Sequence, residues 1–393
     1  MSKSGKMAVT GLSMICALGQ SPAAITRKLL KGESGVKKFV FQAGAPAATV
    51  ARVSSAIKTV TPNRWPISRA TALALKTTEA ILPRNGSPPP ADPRLGLVHA
   101  SAYGNLNSLL NYRADMRRFG LNRASPMQFP NTILHAAASF LSVSIGASAF
   151  NISLSNEGLS GMDALETAQQ LIEAGAADRV VVVTSEGLSQ ELLPILETTD
   201  DLDWQVPAPF GAKRAGYVPG EAAVAMIVEE AAREQSSGAN VRALLLGRSG
   251  VSHGNQTAAT YMAAMQAALE DARISAAEVG CIMASANGSK CDDIEARAIA
   301  ATFGDQVPVT SVKAAFGECA ASSSLLSIAA AIYCAEKGYC PPTSGRAGYD
   351  RKLEPINLLR KKVRVAKPYF LVNAFSAHGS GSQVWRLPPP GRA

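Results

Sequence analysis

The chain has 393 residues, 47% hydrophobic and 18% charged, so it is too apolar for a disordered protein and long enough for one large domain or two fused ones. Its net charge of +9 permits an acidic protein partner, but the basic residues are scattered outside segment 351–364, which argues against a nucleic-acid-binding surface. The six cysteines show no CxxC pair and no zinc spacing, which predicts reduced thiols in a cytoplasmic protein and no metal site. We also expect no other cofactor.

Short β-rich runs alternate along the chain with helical patterns. In chain order, the predicted strands are 7–11, 94–101, 149–155, 178–186, 222–230, 241–250, 279–286, 307–312, 369–375 and 382–387. The predicted helices lie at about 67–82, 132–146, 160–174, 257–273, 292–303 and 322–337. Several strands are continuous runs of Val, Ile and Leu, which is typical of strands covered on both faces. The pattern predicts an α/β fold with layered sheets.

The longest apolar run, 133–150, contains a histidine and four serines, which favours a buried helix over a membrane span. No signal peptide is apparent before the first predicted strand. We therefore expect no membrane span.

Two stretches of the chain resemble each other. Residues 150–183 predict a strand, a glycine-bearing turn, a helix rich in small residues, a closing glycine and a second strand. Residues 307–338 repeat the first four of these steps, which indicates a duplicated unit. In the first unit the turn places Gly158 at its tip, beside Glu157, where many enzymes present a nucleophile to a cleft at the positive end of a helix.

Five segments carry a resemblance to a known family: 9–36, 210–230, 284–304, 310–318 and 372–382. Through them the chain resembles the β-ketoacyl-acyl carrier protein synthases of the thiolase fold over nearly its whole length. The resemblance implies a thiolase-like five-layer α/β/α/β/α fold of two pseudo-repeated halves. We place the halves at 1–240, with a degenerate nucleophile turn, and 241–393, with degenerate histidine positions.

The catalytic positions of that family are replaced here. Active members use a cysteine and two histidines, and the resemblance places Gly158 at the cysteine, Asn287 at the first histidine and Glu318 at the second, while Lys313 is retained. The resemblance therefore implies no catalytic residue. The family's gating loop survives only as a remnant at Ala377 and His378. Hydroxyl residues that hold the substrate's pantetheine arm in the family correspond to Ser289 and Cys291.

Ketosynthase-like chains without catalytic groups include the chain-length factors of heterodimeric type II polyketide synthases and relatives from aryl polyene pathways. The resemblance implies a subunit that dimerises with an active ketosynthase, shapes the acyl tunnel, and meets acyl carrier protein mainly through that partner. Segment 125–142 corresponds to the family's interface segment, in which Gln128 matches a residue that reaches the partner's acyl pocket. The flanking residues, which could alternatively only pack the dimer, are Met127, Phe129, Thr132 and His135.

Two alternatives remain open at this point. One is a repurposed acyltransferase or hydrolase on carrier-protein thioesters that uses Glu157, Ser160 or Cys319, with Glu157 and Glu318 as an acid/base pair. The other is a homodimeric module that binds an acyl ligand or a carrier protein. Against the first, Glu318 could instead fill the vacated pocket by pairing with Lys313, and isolated histidines such as His135 and His378 are more often structural than catalytic.

Overall fold

The computed structural model describes residues 6–54, 56–57, 67–82, 89–199, 202–231, 240–346, 348–376 and 378–387. The helices in these ranges are α1 (Pro22–Leu29), α2 (Arg69–Glu79), α3 (Leu106–Phe119), α4 (Ala136–Ile145), α5 (Ser160–Glu173), α6 (Leu193–Thr199), α7 (Ala258–Ala272), α8 (Cys291–Phe303), α9 (Lys313–Phe316) and α10 (Ser323–Glu336). The strands are β1 (Met7–Ile15), β2 (Lys37–Phe39), β3 (Ala48–Val50), β4 (Leu95–Ala100), β5 (Asn151–Leu154), β6 (Arg179–Glu186), β7 (Ala222–Glu230), β8 (Ala243–Arg248), β9 (Ser252–His253), β10 (Val279–Met283), β11 (Pro308–Thr310), β12 (Tyr339–Cys340), β13 (Asn357–Leu358), β14 (Val363–Arg364), β15 (Tyr369–Phe375) and β16 (Gly379–Arg386).

The main sheet is mixed and has the order β13-β11-β10-β15-β16-β8-β1-β7-β6-β4-β5, with β9 paired to β16. It consists of two parts that meet where β1 and β8 pair antiparallel, with Val9 opposite Ala243. Apart from the two-residue strands β9 and β13, each part has the same order: its first strand, then its fifth, fourth, second and third along the chain. The pairings also run in the same directions, antiparallel twice and then parallel twice. The predicted pseudo-repeat is confirmed.

Helices cover both faces of each part of the sheet. Alternate side chains of a single strand contact helices on opposite faces. On β6, Val181 and Val183 pack toward α2 and α4 on the outside, whereas Val180 and Val182 face a central core shared with α5 and α10. The other part of the sheet packs its outer face on α7 and α8. The layers are therefore helix, sheet, helix, sheet, helix. This is the predicted thiolase-like five-layer fold, and it explains the unbroken valine run in β6.

Most predicted elements agree with the structure to within a few residues, but four helices of the described ranges were missed: α1, α3, α6 and the short α9. None of the residues of α3 is fully buried in this chain, although Leu106 packs against a buried cluster. The predicted helix over 132–146 begins later, at Ala136, after a 3₁₀ turn at Phe129–Thr132. The boundary at residue 240, between β7 and β8, stays a prediction.

The long apolar run at 133–150 forms α4, which packs in the outer core with Leu141 and Ile145. In the described parts of the chain, no helix combines the length and the apolar character needed to cross a membrane.

Candidate functional site

A cleft of about 980 Å³ opens where the turns before α5 and α10 approach each other, and residues from both halves line it. It brings together six of the residues that the sequence analysis selected for chemistry: Glu157, Gly158, Asn287, Lys313, Glu318 and His378. Ser289 and Cys291 also line it. Ala377 lies outside the described residues. The predicted tunnel and interface residues are not among the lining residues of this cleft: Met127, Gln128, Phe129, Thr132 and His135.

Gly158 lies in a 3₁₀ turn, Glu157–Leu159, that leads directly into α5. Glu157 has a φ of 44°, in the left-handed region that side chains other than glycine rarely adopt. A Cβ atom at Gly158 would meet no other atom within 4 Å, so the space for a side chain is present. The absence of a nucleophile is therefore a matter of residue type and does not reflect a blocked cleft.

Ser160 and Cys319, the two alternative nucleophiles, are both occupied. The Ser160 hydroxyl donates to the carbonyl oxygen of Glu157 at 2.7 Å and accepts from the backbone N–H of Asn156 at 2.7 Å, so it stabilises the turn. The Cys319 thiol is buried and donates to the carbonyl oxygen of Phe316 at 3.5 Å. Burial, together with the negative charge of the neighbouring Glu318, raises the pKa of Cys319 well above its ordinary value. Neither side chain is poised for attack.

Glu318 is the centre of the polar network in the cleft. Its carboxylate accepts hydrogen bonds from Lys313 Nζ at 2.8 Å and from Asn287 Nδ2 at 2.8 Å, both at Oε2. The Ser323 hydroxyl donates to Oε1 at 2.5 Å. Burial opposes ionisation, but the charge of Lys313 and the three donors outweigh it and lower the pKa of Glu318. The predicted pairing of Glu318 with Lys313 is thus present.

The donors around Glu318 are themselves held in place. Lys313 Nζ also donates to the Ser285 hydroxyl at 3.1 Å, and Ser285 in turn bonds the backbone of Phe375. The side-chain oxygen of Asn287 accepts the backbone N–H of Ser289 at 3.1 Å, so its amide nitrogen faces Glu318. The network therefore has little freedom to rearrange.

Two buried carboxylates on α8 were missed by sequence reasoning. Asp292 accepts backbone N–H groups from Asn287 and Gly288, and burial raises its pKa to about 6. Glu295 accepts the backbone N–H of Ser285 at 2.9 Å and Asn373 Nδ2 at 3.0 Å, and burial raises its pKa to about 7. Their spacing, three residues apart on one helix, was the available signal, because it places both on the same face.

The segment with the predicted interface residues lies beside the edge strand β5. Met127 and Phe129 are exposed by 49% and 56%, and Gln128 is exposed as well. The Thr132 hydroxyl donates to the carbonyl oxygen of Phe129 at 2.7 Å, and His135 Nδ1 lies 2.8 Å from Ser153 Oγ on β5. We call the exposed apolar residues of 121–143 the apolar face: Leu121, Met127, Phe129, Ile133, Leu134 and Val143.

In the described ranges, no group of three or more His, Cys, Asp or Glu side chains could hold a metal ion. His378 is exposed at the cleft, and its backbone N–H donates to Ser376 Oγ at 3.2 Å. The described residues that line the cleft include the Lys313–Glu318 ion pair and the polar side chains of Ser285, Asn287 and Ser323.

Comparison with known proteins identifies two domains in the sequence. The model of the β-ketoacyl synthase N-terminal domain matches residues 5–234, and that of the β-ketoacyl synthase C-terminal domain matches residues 239–346. The chain is similar to 3-oxoacyl-[acyl-carrier-protein] synthase 2 of Coxiella burnetii, with 25% identity over 375 residues that cover 86% of this chain and 87% of the relative.

A second relative is the tetracenomycin polyketide synthase ketoacyl synthase beta subunit of Streptomyces glaucescens. It is 27% identical over 372 residues, which cover 88% of this chain and 89% of the relative. Among solved structures, the fold is similar to a chain from the ketosynthase (ApeO) in complex with its chain length factor (ApeC) from Xenorhabdus doucetiae. That comparison has a TM-score of 0.82 and 20% identity, and covers 99% of each chain.

Proposed function

Because the chain belongs to the β-ketoacyl synthase family, we propose that it is a non-catalytic chain-length-factor subunit. In this proposal it dimerises with an active ketosynthase and shapes the tunnel that holds the growing acyl chain, in polyketide or aryl polyene biosynthesis. The observation that supports the proposal is that Gly158, Asn287 and the ion-paired Glu318 line one cleft. The sequence resemblance assigns these residues to the cysteine and two histidines of active members.

These three side chains cannot replace the family's catalytic groups. Gly158 has no nucleophilic atom, and the Asn287 amide does not carry protons near neutral pH. Glu318 is anionic and bound by three donors, so it neither donates a proton nor stabilises a developing oxyanion. Loss of a single catalytic group commonly lowers turnover by about a thousandfold or more, and here all three are replaced.

The edge strand β5 and the apolar face support a paired subunit. An unpaired edge strand exposes backbone N–H and C=O groups that a second strand can satisfy. Phe129 and Val143, exposed by 56% and 57%, lie in the segment that leads into β5. Exposed apolar residues of this kind are common at interfaces that bury large surfaces. A ketosynthase of the same fold could pair its own edge with β5 across a two-fold axis.

The residues next to that edge are the candidates for the tunnel wall. We propose that Gln128 reaches the partner's acyl pocket and that its neighbours set the space at the tunnel end: Met127, Phe129, Thr132 and His135. Acyl carrier protein then delivers substrate mainly through the partner. As part of the same proposal the heterodimer works in the cytoplasm, in line with the free thiols of all six cysteines.

The test is reconstitution with a candidate active ketosynthase. Native mass spectrometry of the co-expressed pair should show a 1:1 heterodimer, and the pair should make product that the ketosynthase alone does not make. A Cys→Ala change at the partner's nucleophile should abolish turnover, whereas Gly158→Ala in this chain should leave it unchanged. Equal product from the ketosynthase alone would rule out the chain-length-factor role.

The retained cleft favours a homodimeric acyl- or carrier-protein-binding module as the second candidate, because about 980 Å³ is enough space for a ligand. A stable homodimer that forms without any ketosynthase and binds acyl carrier protein directly would support it over the first proposal.

A further inference from the structure

The cleft contains an anion-binding arrangement whose occupant belongs to the chain itself. Lys313, Asn287 and Ser323 direct an ammonium, an amide N–H and a hydroxyl at one carboxylate, all at 2.5–2.8 Å. The side chains of Lys313 and Glu318 are exposed by only 10% and 13%. A positive charge with two further donors in a nearly buried position is the chemistry that binds a carboxylate.

The three donors are oriented independently of Glu318. Lys313 Nζ is anchored on Ser285, and Asn287 is anchored through its side-chain oxygen. The Ser323 hydroxyl accepts the backbone N–H of Cys319 at 2.9 Å, which leaves its proton for the carboxylate. Because each donor has a second contact, the group should keep its geometry when the carboxylate is removed.

We infer that Lys313, Asn287 and Ser323 form a carboxylate-binding site that Glu318 fills as an internal ligand, so that the cleft accepts ligands without a carboxylate and excludes those that carry one. An incoming carboxylate would have to displace Glu318 and leave its charge uncompensated beside the ligand's own charge, which is strongly unfavourable in a nearly buried site. If the proposed function holds, carboxylated extender thioesters are thereby left to the partner's active site.

Other charges at the cleft act in the same direction. The acidic residues that line it are Glu157, Glu197, Asp292, Glu295 and Glu318, whereas the basic ones are Lys290 and Lys313. Burial raises the pKa of Asp292 and Glu295, but Glu157 and Glu197 still add negative charge at the cleft, although the whole chain has a net charge of +9. This contrast strengthens the discrimination against carboxylates.

The experiment removes the internal ligand and supplies a small one. The isolated Glu318→Ala variant is heated in sodium acetate, in sodium chloride of equal ionic strength, and in acetamide, the uncharged analogue. Acetate at about tenfold excess over its Kd should raise the melting temperature of the variant by about 2 °C or more relative to both controls. The wild-type chain should show no such rise, because Glu318 occupies the site.

Two controls separate this effect from general salt stabilisation. The Glu318→Ala/Lys313→Met double variant lacks the cation and should lose the response to acetate. Glu270→Ala, the same substitution at an exposed position on α7, should behave like the wild-type chain. Line broadening of ¹³C-labelled acetate by Glu318→Ala, and not by the wild-type chain, should report binding directly.

Each result decides the matter. If Glu318→Ala does not fold in chloride, recovery of soluble protein in acetate but not in acetamide supports the site. If the folded variant has the same melting temperature in acetate, chloride and acetamide, the carboxylate-binding site is overturned. The same holds if the variant is equally insoluble in all three solutions. These measurements contain no partner protein, so a negative result does not count against the chain-length-factor proposal. Conversely, if no ketosynthase pairs with this chain, the carboxylate-binding site is unaffected.

Discussion

His135 Nδ1 lies 2.8 Å from Ser153 Oγ, which ties the residue before α4 to the middle of the edge strand β5. The pair joins the predicted interface segment to the strand that we propose as the pairing edge. It is half-buried in the isolated chain, so a partner that pairs with β5 would cover it. The position of segment 125–142 and the position of β5 are therefore coupled by a direct contact.

Val143→Arg should weaken the heterodimer without unfolding the chain. Val143 is 57% exposed, so an arginine costs little in the monomer, but a buried unpaired charge at the interface is unfavourable. We expect the Kd of the complex to rise by about 30-fold or more, measured by biolayer interferometry. Val40→Arg is the matched control, since Val40 is 48% exposed on a different part of the chain. Equal binding by the two variants would place the interface elsewhere.

Substitutions near the proposed tunnel end should change product length. Gln128→Trp or Thr132→Trp should shorten the products while condensation continues, because overpacking a rigid wall costs about 1–3 kcal/mol. Met127→Ala or Phe129→Ala should lengthen them by adding space. Mass spectrometry of the products of the reconstituted pair provides the measurement. A parental length distribution from all four variants at normal turnover would show that these residues do not line the tunnel.

The isolated wild-type chain should neither acylate itself nor decarboxylate malonyl-acyl carrier protein. The physical reason is that Gly158 has no nucleophile, Asn287 carries no proton, and Glu318 is held as an anion. Intact-mass analysis after incubation with an acyl thioester should show no adduct. A stoichiometric adduct that maps to one residue, Cys319 for example, would contradict the non-catalytic assignment.

Gly158→Cys should give a reactive thiol but no ketosynthase. The open space at this position accommodates the side chain, and the N-terminal end of α5 should lower the pKa of the new thiol. Iodoacetamide should therefore modify the variant at residue 158 faster than it modifies the buried Cys319, as peptide mapping can show. Condensation turnover by this single variant would mean that Asn287 and Glu318 suffice for catalysis.

Glu295→Gln should change how stability depends on pH. Burial raises the pKa of Glu295 from 4.5 to about 7, so the folded state binds more protons than the unfolded state between these values. The wild-type chain therefore loses stability as pH rises through this window, and the variant does not carry this loss. The free energy of unfolding of the variant, relative to wild type, should increase by about 1–3 kcal/mol from about pH 5 to about pH 8.

Urea denaturation of both proteins at the two pH values measures this difference. Glutamine keeps an oxygen that can accept the N–H groups of Ser285 and Asn373, so the comparison isolates the charge. Glu270→Gln, at an exposed position, should show no pH-dependent difference from wild type. A constant difference between Glu295→Gln and wild type at both pH values would mean that Glu295 does not ionise in this window.

Some of this molecule follows from the sequence alone. The valine run in β6 predicts a strand covered on both faces, since every one of its residues must meet an apolar neighbour. The resemblance to the ketosynthase family, carried by segments of the sequence alone, predicts that Gly158 lies at the family's nucleophile position. Strand patterns and short motifs involve residues that are close together in the sequence, so they can be identified without the structure.

Only the tertiary structure decided which side chains meet. The donors to Glu318 come from the loop before α8, from α9 and from the start of α10, and their distances depend on how both parts of the sheet align. Burial of Glu295 requires strands β10 and β15 to lie beside α8. No residue of helix α3 is fully buried within this chain, so its place in the fold is not fixed by the core of this chain. Contacts between distant segments are determined by packing, which short-range spacing does not encode.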